Sequence, residues 1–179
     1  MSHGNATLAS MNAVVRPLTG ADAQAFWDLR LEALEQAPRA FAESSGEHRA
    51  KPVELVAKRL TSGGMNNCVL GAFVDDELVG TAGFARSERP KETHKARVWG
   101  VYVKPGHRGK GIGKSLMSDL LRRARSQPGL EQVMLTVSVE QESAQRLYVS
   151  LGFEIFGTEH RALRVGEDYV DENYMAIRL

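Results

Sequence analysis

The sequence predicts one domain in which helices cover a mixed β-sheet. Two observations predict this class. Three β-type runs follow one another with no helix between them, at Asn67–Val74, Leu78–Ser87 and Ala96–Val103. A strictly alternating strand–helix order, the mark of a doubly wound parallel sheet, is therefore absent. The runs on either side keep helical spacing instead, with apolar residues at i, i+3, i+4 and i+7.

The elements follow in order. Ala13–Leu18 reads as a short first strand. Asp22–Gln36 reads as a helix, because Phe26, Leu29, Arg30, Ala33 and Leu34 keep helical spacing and Pro38 lies just past its end. Residues 40–50 read as a loop. Pro52–Leu60 reads as a second helix, with proline in its first turn and Gly63-Gly64 behind it. Asp75-Asp76-Glu77 is a hairpin signal between the next two strands. In Ala96–Val103, Val101 and Val103 are assigned to one face, Gly100 and Tyr102 to the other. Ile112, Leu116, Leu120, Leu121 and Ala124 form the stripe of an amphipathic helix. Gln132–Val139 alternates as a strand, and Ala144, Leu147, Tyr148 and Leu151 mark a last helix closed by Gly152. Phe153–Leu163 and Tyr169–Arg178 are two final strands around a turn at Val165-Gly166-Glu167-Asp168.

Composition limits the function. At 179 residues one compact domain is expected, with residues 1–12 a flexible extension. A formal net charge of +1 gives no bulk attraction for nucleic acid. The single cysteine, Cys68, excludes an intrachain disulfide framework and fits a reducing cytoplasm. No apolar run is long enough to span a bilayer, and the N-terminus lacks a signal-peptide pattern.

The chemistry concentrates in His107–Ser115, HRGKGIGKS, between a strand and a helix. Such a junction binds anions, because first-turn N–H groups have no helical partner and the helix dipole adds positive potential. Three phosphate-binding patterns compete. The P-loop pattern needs a glycine where Arg108 stands. The dinucleotide fingerprint needs its last glycine one residue after Gly113. The third, [QR]-x-x-G-x-[GA], fits Arg108-Gly109-Lys110-Gly111-Ile112-Gly113.

That third pattern is the pyrophosphate loop of the GNAT superfamily of acetyl-CoA-dependent N-acetyltransferases, which this chain resembles. GVYVKPGHRGKGIGKSLM is similar to the family's central strand, loop and helix. SAQRLYVSLGF is similar to its second signature, with Gln141 where asparagine is usual. The C-terminal stretch LGFEIFGTEHRALRVGEDYVDENYMAIRL further resembles a bacterial branch that acts on amino acids, other small amines or protein termini. The resemblance implies a central mixed, mostly antiparallel sheet of six to seven strands flanked by four helices. It implies acetyl transfer to a primary amine by direct attack in a ternary complex, with no metal. The alternative is a fold of this kind that binds acyl-CoA as a sensor or interaction module.

The resemblance also distributes roles. Arg108, Gly109, Lys110, Gly111, Ile112, Gly113 and Lys114 hold the pyrophosphate and 3′-phosphate of coenzyme A. Main-chain groups near Val101, Val103 and Val137 pair with the pantetheine arm between two splayed strands, Ala96–Val103 and Gln132–Val139. A backbone N–H near Tyr102 polarises the thioester carbonyl, and Gln141 and Arg146 belong to the cofactor side. Tyr148 matches the tyrosine of the L-Y pair and is the general acid for the departing thiolate. The central-strand glutamate of many relatives is Arg97 here, and an arginine is no base near neutral pH. Ordered water, Glu154, Glu140, Glu77 and His94 all remain as proton acceptors. Acceptor contacts are sought in Trp27, Arg30, Phe41, Glu43, Tyr169 and Asp171. The strand-rich C-terminal end offers an edge for a homodimer.

Overall fold

A computed structural model describes residues 13–179; the expected N-terminal extension lies outside the described residues. Seven strands form one sheet in the order β1-β2-β3-β4-β5-β7-β6. They are β1 (Val14–Pro17), β2 (Asn67–Val74), β3 (Glu77–Arg86), β4 (Lys95–Val103), β5 (Gln132–Ser138), β6 (Glu154–Val165) and β7 (Asp168–Arg178). Every neighbouring pair is antiparallel except β4 and β5. The four expected helices are α1 (Ala23–Gln36), α3 (Val53–Ser62), α4 (Ile112–Arg125) and α5 (Glu142–Ser150).

A fifth, short helix, α2 (Ser45–Arg49), corrects the reading of residues 40–50 as loop. Its cause is local. Ser44 accepts a hydrogen bond from the Glu47 N–H, and the Glu47 carboxylate accepts one from the Ser44 N–H at 2.8 Å. This reciprocal capping box satisfies two otherwise orphaned donors.

The sheet has a core on each face. On one side α4 lays Ile112, Leu116, Met117, Leu120, Leu121 and Ala124 against Leu70, Val79, Ala96, Val98 and Val133. Leu116, Met117, Leu120 and Leu121 are each at most 2% exposed. Complete burial of such a side chain contributes roughly 1.5–3 kcal/mol. Basic Arg122, Arg123 and Arg125 occupy the last turn of α4, where the helix dipole favours them. The same core takes Tyr148 of α5 and Phe153 behind it. Gly152 ends α5 with φ +96°, and the Phe153 N–H returns to the Tyr148 carbonyl at 3.0 Å. On the opposite face Phe26, Leu29 and Ala33 of α1 meet Val56 of α3, Val69, Leu78 and Tyr102.

Two features of β4 set up the site. The first is a bulge: Trp99 pairs with Gly83 and Tyr102 with Thr81, so Gly100 and Val101 together oppose Ala82. Gly100 carries it at φ +60°, a conformation that costs other residues about 1–2 kcal/mol. The bulge interrupts the alternation. Ala96 and Val98 before it, and Val101 and Val103 after it, all pack on the α4 face, whereas Tyr102 joins the α1 core. The second feature is a divergence. β4 and β5 pair only at Lys95–Gln132, Ala96–Val133 and Arg97–Met134. Beyond these, β4 stays with β3 and β5 stays with β7, so a cleft opens between Val98–Val103 and Leu135–Ser138.

Candidate active site

The cleft is part of a cavity of about 720 Å³. Its walls are Arg97–Val103 of β4, Leu135–Val137 of β5, the loop before α4, the inner face of α5, and residues 40–43 with Arg30. Diverging strands leave main-chain groups without ladder partners, and a ligand carrying amides satisfies them.

The loop is built to present N–H groups. Gly109 and Gly111 adopt φ of +74° and +81°, and the first α4 hydrogen bond runs from Ser115 N to Gly111 O at 2.9 Å. A Cβ on either glycine would meet nothing within 4 Å, so the backbone conformation, not space, requires glycine there. The N–H groups of Gly109 to Lys114 find no acceptor among the described residues. That is a six-donor frame at the positive end of a helix.

The loop's basic side chains divide. Arg108 donates from Nε to the Val103 carbonyl at 2.8 Å and lies 5.4 Å from the Tyr102 ring, bracing the loop on β4. Lys110 donates to the Gly106 carbonyl at 2.9 Å and is not in the cavity wall. Lys114 is in the wall. Arg146 is outside it, in a surface pair with Glu142 at 3.1 Å. Val101, Tyr102, Val103, Gly109, Gly111, Ile112, Gly113, Gln141 and Tyr148 are all brought to the cavity.

Tyr148 is 6% exposed and packs edge-on to Phe153, ring centroids 6.0 Å apart. Burial pushes its phenol well above the ordinary tyrosine range. Its hydroxyl has no hydrogen-bond partner among the described residues. It is also not sealed away: the buried side-chain atoms without partners are Arg30 Nη1, His107 Nδ1 and Gln127 Oε1. The hydroxyl therefore meets open space from within an apolar wall.

None of the proton acceptors anticipated from the sequence, Glu154, Glu140, Glu77 and His94, lies in this wall. Glu140 is held by Arg39 through two hydrogen bonds of 2.7 and 2.8 Å, and Glu77 by Lys104. Glu154 is exposed on β6 and His94 lies in the β3–β4 connection. The wall instead contains Glu172, on β7 opposite Ser138 of β5. Its carboxylate makes no hydrogen bond or ion pair among the described residues. Burial, reinforced by Glu159, raises its carboxyl above the ordinary range. Glu172 lies inside the C-terminal stretch that carries the resemblance, but nothing in that stretch marks it as an acid or base; only the β5–β7 register carries it to the cleft.

The acceptor candidates separate similarly. Arg30, Phe41 and Glu43 are in the wall, and Trp27, Tyr169 and Asp171 are not. Trp27 donates to the Lys51 carbonyl at 3.0 Å and stacks near His48, a core role. Arg161 covers the Tyr169 ring at 3.8 Å, and Asp171 accepts hydrogen bonds from His160 and the Arg161 N–H. Arg97 is in the wall and makes no ion pair among the described residues.

The chain belongs to the Acetyltransferase (GNAT) family, whose model matches residues 27–153. Among curated relatives, L-amino acid N-acetyltransferase AaaT of Escherichia coli is 34% identical over 108 residues, 60% of this chain and 65% of that protein. N-alpha-acetyltransferase RimI of Mycobacterium tuberculosis is 37% identical over 100 residues, 56% of this chain and 60% of that protein. The chain thus matches less than two thirds of the length of either. The fold is shared with YncA of Salmonella typhimurium, solved with its cofactor acetyl-CoA, at a TM-score of 0.80 and 22% identity, covering 93% of this chain and 94% of that one. Among the described residues no helix is long and apolar enough to cross a membrane.

Proposed function

We propose that the chain transfers an acetyl group from acetyl-CoA to a primary amine, by direct attack in a ternary complex. The observation that carries this reading is the six-donor loop at the mouth of a cleft between two diverging strands. The residues fit coenzyme A. Gly109 to Lys114 supply N–H groups for a pyrophosphate, and the free edges of β4 and β5 suit the amides of a pantetheine arm. The acceptor is a small amine, an amino acid or a protein N-terminus; the name of AaaT specifies an L-amino acid and that of RimI an N-alpha position.

The chain's own groups then account for the proton and charge movements. The main-chain N–H groups at the Gly100–Tyr102 bulge polarise the thioester carbonyl; such fixed dipoles are often the largest catalytic contribution. Glu172 takes the proton that the amine must lose, directly or through water. The amine nitrogen forms the new C–N bond, the C–S bond breaks, and Tyr148 donates its proton to the departing thiolate. Glu172 replaces the carboxylates anticipated from the sequence, because it is the one in the cavity wall without an ion-pair partner. Cys68, the single cysteine, lies in a separate cavity beside Leu120 and Arg123, which favours direct attack over an acetyl-cysteine step. A second copy would join at β6, the outer strand at the C-terminal end of the sheet, where Ile155 and Phe156 are 49% and 58% exposed.

The test is purified protein with acetyl-CoA and a panel of free amino acids, polyamines and short peptides, with products read by mass spectrometry. An acetylated amine supports the reading. Tight acetyl-CoA binding by calorimetry with no acetylated product across the panel would point to the sensor instead.

A further inference from the structure

We infer that Arg30 anchors the carboxylate of a free α-amino acid, and that this is the acceptor class of the enzyme. The inference rests on the acetyltransferase reading and narrows it.

Arg30 projects from α1 into the cavity wall, its side chain 11% exposed. It is fixed on two sides. Nε and Nη2 both donate to Glu43 Oε2, at 3.1 and 3.0 Å, and the guanidinium lies 4.6 Å from the Phe41 ring centroid. The third nitrogen is different. Nη1 has no acceptor among the described residues and almost no open surface, so a carboxylate meets it by displacing the side chains that cover it at the cavity wall. A guanidinium nitrogen carries two N–H donors, and burying them unpaired is costly. A rigid cation with unused donors is already organised for an anion.

The local charge favours one too. Glu43 is shared between Arg30 and Lys51, so one carboxylate faces two cations. Arg97 adds a further cation to the same wall. The donor's phosphates do not claim this position, because the six-donor loop serves them at the start of α4.

Position then selects the acceptor. Arg30 Nη1 is 3.6 Å from where a Cβ on Gly100 would stand, beside the bulge whose N–H groups face the thioester in the mechanism above. In a free α-amino acid the carboxylate and the amine share one carbon. A carboxylate held on Nη1 therefore delivers its amine to the bulge. A protein N-terminus carries a neutral amide in that place and leaves Nη1 unpaired. A lysine ε-amine lies four methylenes from its own α-carbon and cannot meet both points.

The test is steady-state kinetics on matched acceptors: an amino acid, its carboxamide and its decarboxylated amine, with short peptides alongside. Wild type should prefer the free amino acid by about 100-fold in kcat/KM, the scale of leaving one member of a buried charge pair unmatched. Arg30→Gln should remove that preference, lowering kcat/KM for the amino acid far more than for the amine or the carboxamide, with the selective loss carried by KM for the amino acid. Arg30→Lys should recover part of it. The wild-type series decides alone should the variants fail to fold. Equal use of amide, amine and amino acid by wild type, or a preference for peptides, overturns the anchor while leaving the acetyltransferase standing. Acetylation of no amine at all overturns both.

Discussion

Tyr148 and Glu172 line one cavity, and burial bears on the proton that each holds. Burial raises both acids, but the consequences diverge. A tyrosine held above its ordinary range stays protonated, as a general acid must. A raised carboxylate becomes a better base, and it is lost to protonation at a higher pH than an exposed glutamate. The pH dependence of kcat/KM should therefore fall on the acid side, through a pKa above the ordinary glutamate value. No Tyr148 limb should appear below about pH 10. Glu172→Gln should remove the acid limb and lower kcat by about 100-fold, the lower end of acid–base contributions. Tyr148→Phe should lower turnover without abolishing it, since a thiolate is a good leaving group. Unchanged turnover in rapid-mixing assays would remove Tyr148 from the mechanism. The tyrosine was legible in the sequence because it sits in a local motif, L-Y, on a helix with clear periodicity. Glu172 was not, because its neighbours in space, Ser138 and Glu159, come from two other strands.

Among the elements, β4 has the largest consequences. Its bulge turns Val101 and Val103 toward α4 and leaves Tyr102 to bond Glu32 of α1 at 3.0 Å. A glycine inside a strand pattern is the available signal for such a bulge. Straight alternation hides it, because the side-chain parity after the bulge still reads as alternating. The position permits a test. A Cβ on Gly100 would meet only Arg30 Nη1, at an ordinary 3.6 Å, so the penalty of Gly100→Ala is the backbone at φ +60°. Urea unfolding should show a loss of about 1–2 kcal/mol, with a larger proportional loss of acetyl transfer than of acetyl-CoA affinity. A variant as stable and active as wild type would mean that the bulge tolerates a side chain and does not set the carbonyl site. Helix α2 illustrates the opposite limit of legibility. Ser44 and Glu47 are a readable capping box, but α2 is only five residues long and has little apolar periodicity to announce it.

Over the whole molecule, the sheet order brings residues far apart in sequence to one cleft. The hairpins were readable from their turns. Asp75 and Asp76, at φ of +49° and +63°, close β2 onto β3 as a two-residue turn. That β7 inserts between β5 and β6 is a long-range choice, made by burying Met175 and Ile177 in the main core. Stability against acid also belongs to this scale. Asp22 accepts two hydrogen bonds from Arg16, at 2.7 and 2.8 Å, and two more from Thr19. The Arg16 guanidinium is the main reason that its carboxyl is held well below the usual range. A carboxyl depressed in the folded state stabilises the fold above its unfolded pKa, near 4, and loses that contribution as pH falls toward the folded value. Asp22→Asn should thus be less stable than wild type at neutral pH, and the gap should narrow as the pH drops below about 4. Thermal unfolding across pH reads this directly, and a gap that widens in acid would contradict it.

In the proposed reaction the acetyl group passes directly from a thioester in the cleft to an amine held beside it. That step is tested most directly by the initial rate of thiol release as acetyl-CoA and a free amino acid are varied together. Direct transfer gives amine-dependent release with intersecting double-reciprocal lines, because both substrates occupy the cavity at once. Parallel lines, the sign of a covalent acetyl-enzyme, or release that ignores the amine would contradict it.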